Sequence, residues 1–182
     1  MPWEDAPELQ GAELIHDHHA VTQAYDRMAE AITARYAGRR PLVITVMIGG
    51  IIPAGQLLPR LDFALEVDYV HATRYRNRTE GGDLVWHAMP TTPIEGRELL
   101  IIDDILDEGF TLAGVIEAFR VAGARSVATA VLIDKLHDRK HQGLQADFVG
   151  LEAEDRYLFG GGMDCRGLGR NAAGIYAIDV GH

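Results

Sequence analysis

The sequence holds a single cysteine, Cys165, among its 182 residues. No intrachain disulfide can form, and no cysteine cluster is present to bind zinc or iron–sulfur. A lone thiol suits a reducing compartment. Long apolar runs are missing too, none approaching the roughly 20 residues needed to cross a bilayer. The opening Met1-Pro-Trp-Glu-Asp is acidic and lacks the basic start and apolar core of a secretion signal. Basic residues are scarce, 17 Lys and Arg against 27 Asp and Glu, for a formal net charge of −10. That balance argues against a nucleic-acid binder, whose affinity comes mostly from cations neutralising phosphates. It leaves a small anionic substrate open, because backbone N–H groups and bridging metal ions hold phosphates without entering the charge count. Repeats, low-complexity tracts and linkers are also absent. The expectation is one soluble, cytoplasmic domain with neither nucleic acid nor membrane as partner.

What is present is an alternation of strands and helices. Apolar positions Val21, Tyr25, Met28, Ile32 and Tyr36 recur at helical spacing and predict an amphipathic helix from Leu14 to about Ala37. Leu42 to Met47 reads as a buried strand, and Gly49-Gly50 turns it into a short helix that tolerates Pro53 near its beginning. Leu65 to Val70 reads as a strand. Residues 71 to 82 are basic, polar and glycine-terminated, as in a surface loop or hairpin tip, with 83 to 89 as a returning strand. Leu99 to Ile102 is a strand buried on both faces, followed by a helix from about Thr111 to Ala122 and a strand from Val127 to Ile133. Short strands are expected at 148–151, 157–159 and 174–178. The order predicts an α/β domain with a mostly parallel central sheet flanked by helices.

The chemistry gathers at Leu99 to Leu112, LLIIDDILDEGFTL. The carboxyl end of a buried strand is where an open α/β sheet places its ligands. Asp103 and Asp104 could bind magnesium through water or accept hydrogen bonds from sugar hydroxyls, although a solvated acidic loop would read the same. The following Asp107 to Thr111 is short enough for a tight loop at a helix start, a natural phosphate seat. Gly109 permits close approach, Thr111 adds a hydroxyl, and Glu108 fits only if it points away. Met47-Ile48-Gly49-Gly50 is a second strand-to-glycine turn that can present N–H groups to an anion. Lys135 can donate to a carbonyl, and Phe148 can stack on a ring or serve as core. His16, Asp17, His18 and His19 lack the i, i+4 histidine pair of a helical zinc site and read as a solvated helix edge.

These segments, in this order, resemble the purine phosphoribosyltransferases of the type I fold, in particular their hypoxanthine-guanine branch, over roughly Pro41 to Ile178. LLIIDDILDEGFT resembles the signature that binds 5-phosphoribosyl 1-pyrophosphate, VMIGG the pyrophosphate loop, and LIDKLHDRK with DFVGLEAED and DCRGLGR the purine pocket and its hood. The resemblance implies a core at about 38–135, a hood from 1–13 and about 140–182, and a mobile lid at about 71–82. It implies transfer of the phosphoribosyl group to N9 of hypoxanthine or guanine, giving IMP or GMP and pyrophosphate, with Mg2+ as cofactor and a homodimer or homotetramer as assembly.

The implied roles fall on individual residues. Asp103 and Asp104 hold ribose and magnesium. Asp107 faces purine N7 as the proton acceptor, and Asp107, Glu108, Gly109, Phe110 and Thr111 form the 5′-phosphate loop. Ile48, Gly49 and Arg170 meet pyrophosphate, with a non-proline cis bond at Met47–Ile48. Lys135, Phe148 and Val149 bind the purine, Asp155 stands at a second magnesium, and Arg74 and Tyr75 belong to the lid. The sequence departs from that pattern in carrying Asp-Asp for Glu-Asp, Glu108 for Thr, Phe110 for Lys, Ile48 for Lys and Arg74 for Ser. A transferase for xanthine, adenine or a pyrimidine, or a metabolite-sensing regulator of the same fold, are the alternatives.

Overall fold

Strand β5 (Glu98–Leu106) shows how the sequence builds its layers. Leu100 and Ile102 point into one apolar cluster and Leu99 and Ile101 into a second on the opposite face, all fully buried. A strand with both faces covered needs helices on both sides. In the computed structural model, which describes residues 5–74 and 84–179, α1 (His18–Tyr36) and α2 (Ile51–Leu57) cover the first face. The second is covered by α3 (Phe110–Val121), through Leu112, Val115, Ile116 and Phe119.

The remaining strands are β1 (Glu13–His16), β2 (Leu42–Met47), β3 (Glu66–Arg74), β4 (Leu84–Ala88), β6 (Ser126–Leu136), β7 (Phe148–Glu154), β8 (Tyr157–Phe159) and β9 (Ile175–Ile178). Six form the central sheet in the order β4-β3-β2-β5-β6-β7, parallel except for the antiparallel edge strand β4. A separate antiparallel sheet, β1-β9-β8, has its own small core around Leu9, Phe159 and Cys165. The parallel strands end together, so the loops after β2, β5 and β6 share one edge of the sheet. Among the described residues, no helix is long and apolar enough to cross a membrane.

Several boundaries differ from the sequence expectation. Helix α1 begins at His18 rather than Leu14: the Asp17 side chain caps it by accepting from Ala20 N–H at 2.8 Å, and residues 13–16 pair with β9 instead. His16 therefore lies on a strand, its Nε2 2.9 Å from the Glu152 carbonyl oxygen. Residues 71–74 belong to β3, and the rest of the expected lid, Tyr75 included, lies outside the described residues. Strand β7 hydrogen-bonds to β6 and so extends the central sheet beyond residue 140, whereas β1 joins the smaller sheet.

Candidate active site

At that shared edge lies an open cleft of about 660 Å³, lined by Gly49, Asp103, Asp104, Asp107 to Leu112, Asp164 and Arg170 among others. This size suits a small-molecule site. Strand β5 runs straight through the acid pair, and the Asp104 N–H donates to Asp103 Oδ1 at 2.9 Å. Asp104 is only 8% exposed. Burial raises the pKa of both carboxyls, that of Asp103 more strongly because the Asp104 charge adds to it. The nearest cation, Arg170, stands 3.9 Å from Asp104 and is itself engaged with Asp164 at 2.5 Å.

After β5 the chain turns through Gly109, whose φ of 77° is left-handed, and enters α3 at Phe110. The first N–H groups of this helix have no intrahelical acceptor and face the cleft end of the loop. Glu108 is half exposed and lies 3.8 Å from Arg139. Arg74 packs over the Phe110 ring, 4.2 Å from its centroid, which brings a guanidinium to the same loop.

Asp107 stands where the cleft meets the end of β6. Lys135 Nζ donates to its Oδ2 at 2.8 Å, and His137 Nε2 lies 2.7 Å from its Oδ1. Partial burial pushes this carboxyl up, but the hydrogen bonds and charge of Lys135 and His137 outweigh it and hold the pKa below the usual range. Lys135 also reaches Asp155 at 3.3 Å, and Asp155 accepts from Arg139 at 2.7 Å. The bond from Arg139, assisted by Lys135, lowers the Asp155 pKa to about 2.

A family model described as a phosphoribosyl transferase domain matches residues 11–164. The chain belongs to the phosphoribosyltransferase family. It is 37% identical over 134 residues to the hypoxanthine-guanine phosphoribosyltransferase of Bacillus subtilis (strain 168), covering 73% of this chain and 74% of that one. A hypoxanthine-guanine-xanthine phosphoribosyltransferase of Tritrichomonas foetus is 28% identical over 158 residues, covering 87% and 86%. The crystal structure of a hypoxanthine phosphoribosyltransferase from Staphylococcus aureus matches with a TM-score of 0.86 and 26% identity, covering 92% and 91%. The fold is the type I phosphoribosyltransferase fold.

Within this phosphoribosyltransferase, the structure brings Asp103, Asp104, the 107–111 loop, Gly49, Arg170 and Arg74 to one cleft. Lys135 joins it through Asp107. The Met47–Ile48 peptide bond is cis, and the Ile48 side chain is exposed. Two other expectations, for Phe148 and Val149, meet a different register. Phe148 and Val149 pair with Ala130 and Val131, whereas Lys135 pairs with Ala153. Five residues of strand separate Phe148 from Lys135, about 17 Å at ~3.3 Å per residue. Phe148 instead packs into the α1 side of the core, under the Arg35 guanidinium. Asp155, expected at a second magnesium, is paired with Lys135 and Arg139, and its carboxylate lies with Asp107 and His137 in a group whose ligand atoms are within 4.8 Å of one another, close enough to hold a cation.

The sequence reading missed Asp164 and His137. Asp164, rather than Asp155, is the hood acid lining the cleft beside Arg170. Glycines 160–162 bring it there. A Cβ on Gly162 would lie 2.2 Å from the Gly49 carbonyl oxygen, so the hood loop rests directly on the turn after β2. Tyr157 opens β8 two residues beyond Asp155 and is 40% exposed. His137 had a signal in the sequence: on a strand, residues 135 and 137 share one face.

The family implies magnesium, and the donor set fits it. Asp103 and Asp104 supply hard carboxylate oxygens at the cleft, with Arg170 no nearer to Asp104 than 3.9 Å.

Proposed function

We propose that this protein transfers the 5-phosphoribosyl group of 5-phosphoribosyl 1-pyrophosphate to N9 of hypoxanthine or guanine, releasing pyrophosphate. The observation that carries this reading is the Lys135–Asp107 pair, an ammonium donor 2.8 Å from a carboxylate acceptor at the cleft. A 6-oxopurine presents the complementary edge, an accepting O6 beside a donating N7–H. Adenine presents an amino group where Lys135 needs an acceptor. The relatives named for hypoxanthine and guanine support the same substrates.

In this reading the 5′-phosphate sits on the N–H groups of 108–111 and the Thr111 hydroxyl. Gly49 and Arg170 face the pyrophosphate, and Tyr157 stacks on the purine. Asp103 and Asp104 would hold magnesium, which when bound would supply positive charge against the leaving pyrophosphate. The C1–oxygen bond breaks, the N9–C1 bond forms, and the N7 proton passes to Asp107 Oδ2. Asp104 and Asp103 hold the ribose hydroxyls, so the sugar keeps its orientation while its ring gains positive charge.

Two expected results follow from these placements. Arg74→Ala removes the cation poised over the phosphate loop, so KM for the phosphoribosyl donor rises about 10-fold, the worth of one charge-assisted bond, with a smaller change in kcat. Initial rates against donor concentration check this. Phe148→Leu costs about 1 kcal/mol of stability and leaves KM for the purine unchanged, whereas Tyr157→Ala raises it. Thermal melts and purine titrations of the two variants separate these effects.

A homo-oligomer in the cytoplasm completes the proposal. Ile51, Val67 and Tyr69 are 48%, 51% and 46% exposed, an apolar set suited to a subunit contact, and Cys165 is free and buried. Sedimentation measures the assembly. The reaction itself is tested by following nucleotide and pyrophosphate together with hypoxanthine or guanine, donor and magnesium. Equal yields of the two products are expected; no nucleotide from either base would overturn the reading.

A further inference from the structure

His137 has no part in the roles assigned so far, yet it is one of the most constrained side chains at the site. It lies just past the end of β6, and its ring is only 4% exposed. The Arg139 backbone N–H donates to its Nδ1 at 3.2 Å. An Nδ1 that accepts carries no proton, so the neutral ring bears its hydrogen on Nε2. That Nε2 lies 2.7 Å from Asp107 Oδ1. The chain's own backbone therefore selects the tautomer that donates to Asp107.

The two oxygens of Asp107 have different partners. Oδ2 takes Lys135 at 2.8 Å, and Oδ1 takes His137. If Lys135 turns to a purine O6, as the proposed function requires, Oδ2 loses its donor just as it must accept the N7 proton. A carboxylate on a short side chain is then free to rotate unless the other oxygen is held. We propose that His137 is a positioning residue: its Nε2–H holds Oδ1 of Asp107 so that Oδ2 stays aimed at the purine N7–H. This inference rests on the proposed reaction, because it is the purine that draws Lys135 away. The other charged groups around the carboxylate are Lys135 and, one layer out, Asp155, Arg139 and Glu108. Among these, Lys135 and His137 are the groups that hydrogen-bond to Asp107 directly.

The test compares His137→Asn with His137→Gln. The Asn side chain is too short to reach Asp107, whereas the Gln amide N–H extends to the position of Nε2. Expected for Asn is a kcat lowered by about 10-fold or more, on the scale of one hydrogen bond to a charged group. KM for the phosphoribosyl donor should stay unchanged. With one donor to Asp107 gone its carboxyl is easier to protonate, so the acidic limb of the kcat/KM profile for the purine moves to higher pH. Gln should restore both the rate and the limb. A wild-type rate and profile in the Asn variant would overturn the proposal, as would equal impairment in Asn and Gln. NMR titration of the Asp107 carboxyl carbon in the resting protein reads the same contact without turnover. An upward shift in Asn but not in Gln supports the contact even if the parent protein turns over no purine, a result that would count against the proposed reaction alone.

Discussion

Replacing Asp107 by Asn lowers kcat by about 10²- to 10⁴-fold, the range for loss of a positioned proton acceptor, and leaves binding of the phosphoribosyl donor nearly intact. At ~1.4 kcal/mol per decade this amounts to about 3 to 6 kcal/mol of transition-state stabilisation. The geometry explains why an isosteric change is so damaging. Both oxygens of Asp107 accept, one from Lys135 at 2.8 Å and one from His137 at 2.7 Å. An Asn offers one accepting oxygen, so its NH2 group must face one of the two donors. The charge that holds Lys135 in place is lost as well, leaving it only Asp155 at 3.3 Å. Single-turnover rates with saturating donor, beside donor titrations by calorimetry, separate the lost chemistry from binding. An Asn variant with near-normal kcat would remove Asp107 from the reaction.

Replacing Gly162 by Ala should be strongly disruptive for a single methyl group. Its φ of 115° lies in a region that L side chains rarely adopt, and the added Cβ would meet the Gly49 carbonyl oxygen at 2.2 Å and Asp104 Cβ at 3.0 Å. The backbone conformation alone costs about 1–3 kcal/mol, and the contact with a main-chain oxygen adds to it because neither partner can rotate away. Relief requires the hood loop to lift from the turn after β2. That movement carries Asp164 and Arg170 with it, since Arg170 donates to the Gly162 carbonyl at 2.6 Å and pairs with Asp164 at 2.5 Å. The expected result is a lower melting temperature together with a raised KM for the phosphoribosyl donor. An Ala variant with unaltered stability and KM would show that the hood does not rest on this turn.

The parts of the fold legible in the sequence were those fixed by local pattern. A short, largely apolar run bounded by turn residues suits a strand buried on both faces, so β2 and β5 were readable, and the acids at the end of β5 followed from them. Leu14 and Ile15 suit either a helix or a strand, and long-range pairing with β9 decided between the two. Register is the other quantity that pattern does not carry. Phe148 and Lys135 stand 13 positions apart in sequence, but whether they meet depends on the strand offset that sets Phe148 opposite Ala130. The ion pairs of Asp155 were not legible either, because its neighbours in space, Lys135 and Arg139, lie on another strand and its following loop. Asp164 owes its place to contact between two glycine turns, which no spacing rule announces.

The central claim is that Lys135 and Asp107 read the O6 and N7–H edge of a purine. It is tested most directly by the ratio of kcat/KM for hypoxanthine to that for adenine, with the same enzyme, donor and magnesium. A site that pairs a substrate's polar edge rejects a partner that leaves its buried groups unpaired by about 10⁴- to 10⁵-fold. The account predicts a ratio favouring hypoxanthine by at least about a thousandfold, a margin below that range because the cleft is open. A ratio near one, or a preference for adenine, would contradict it.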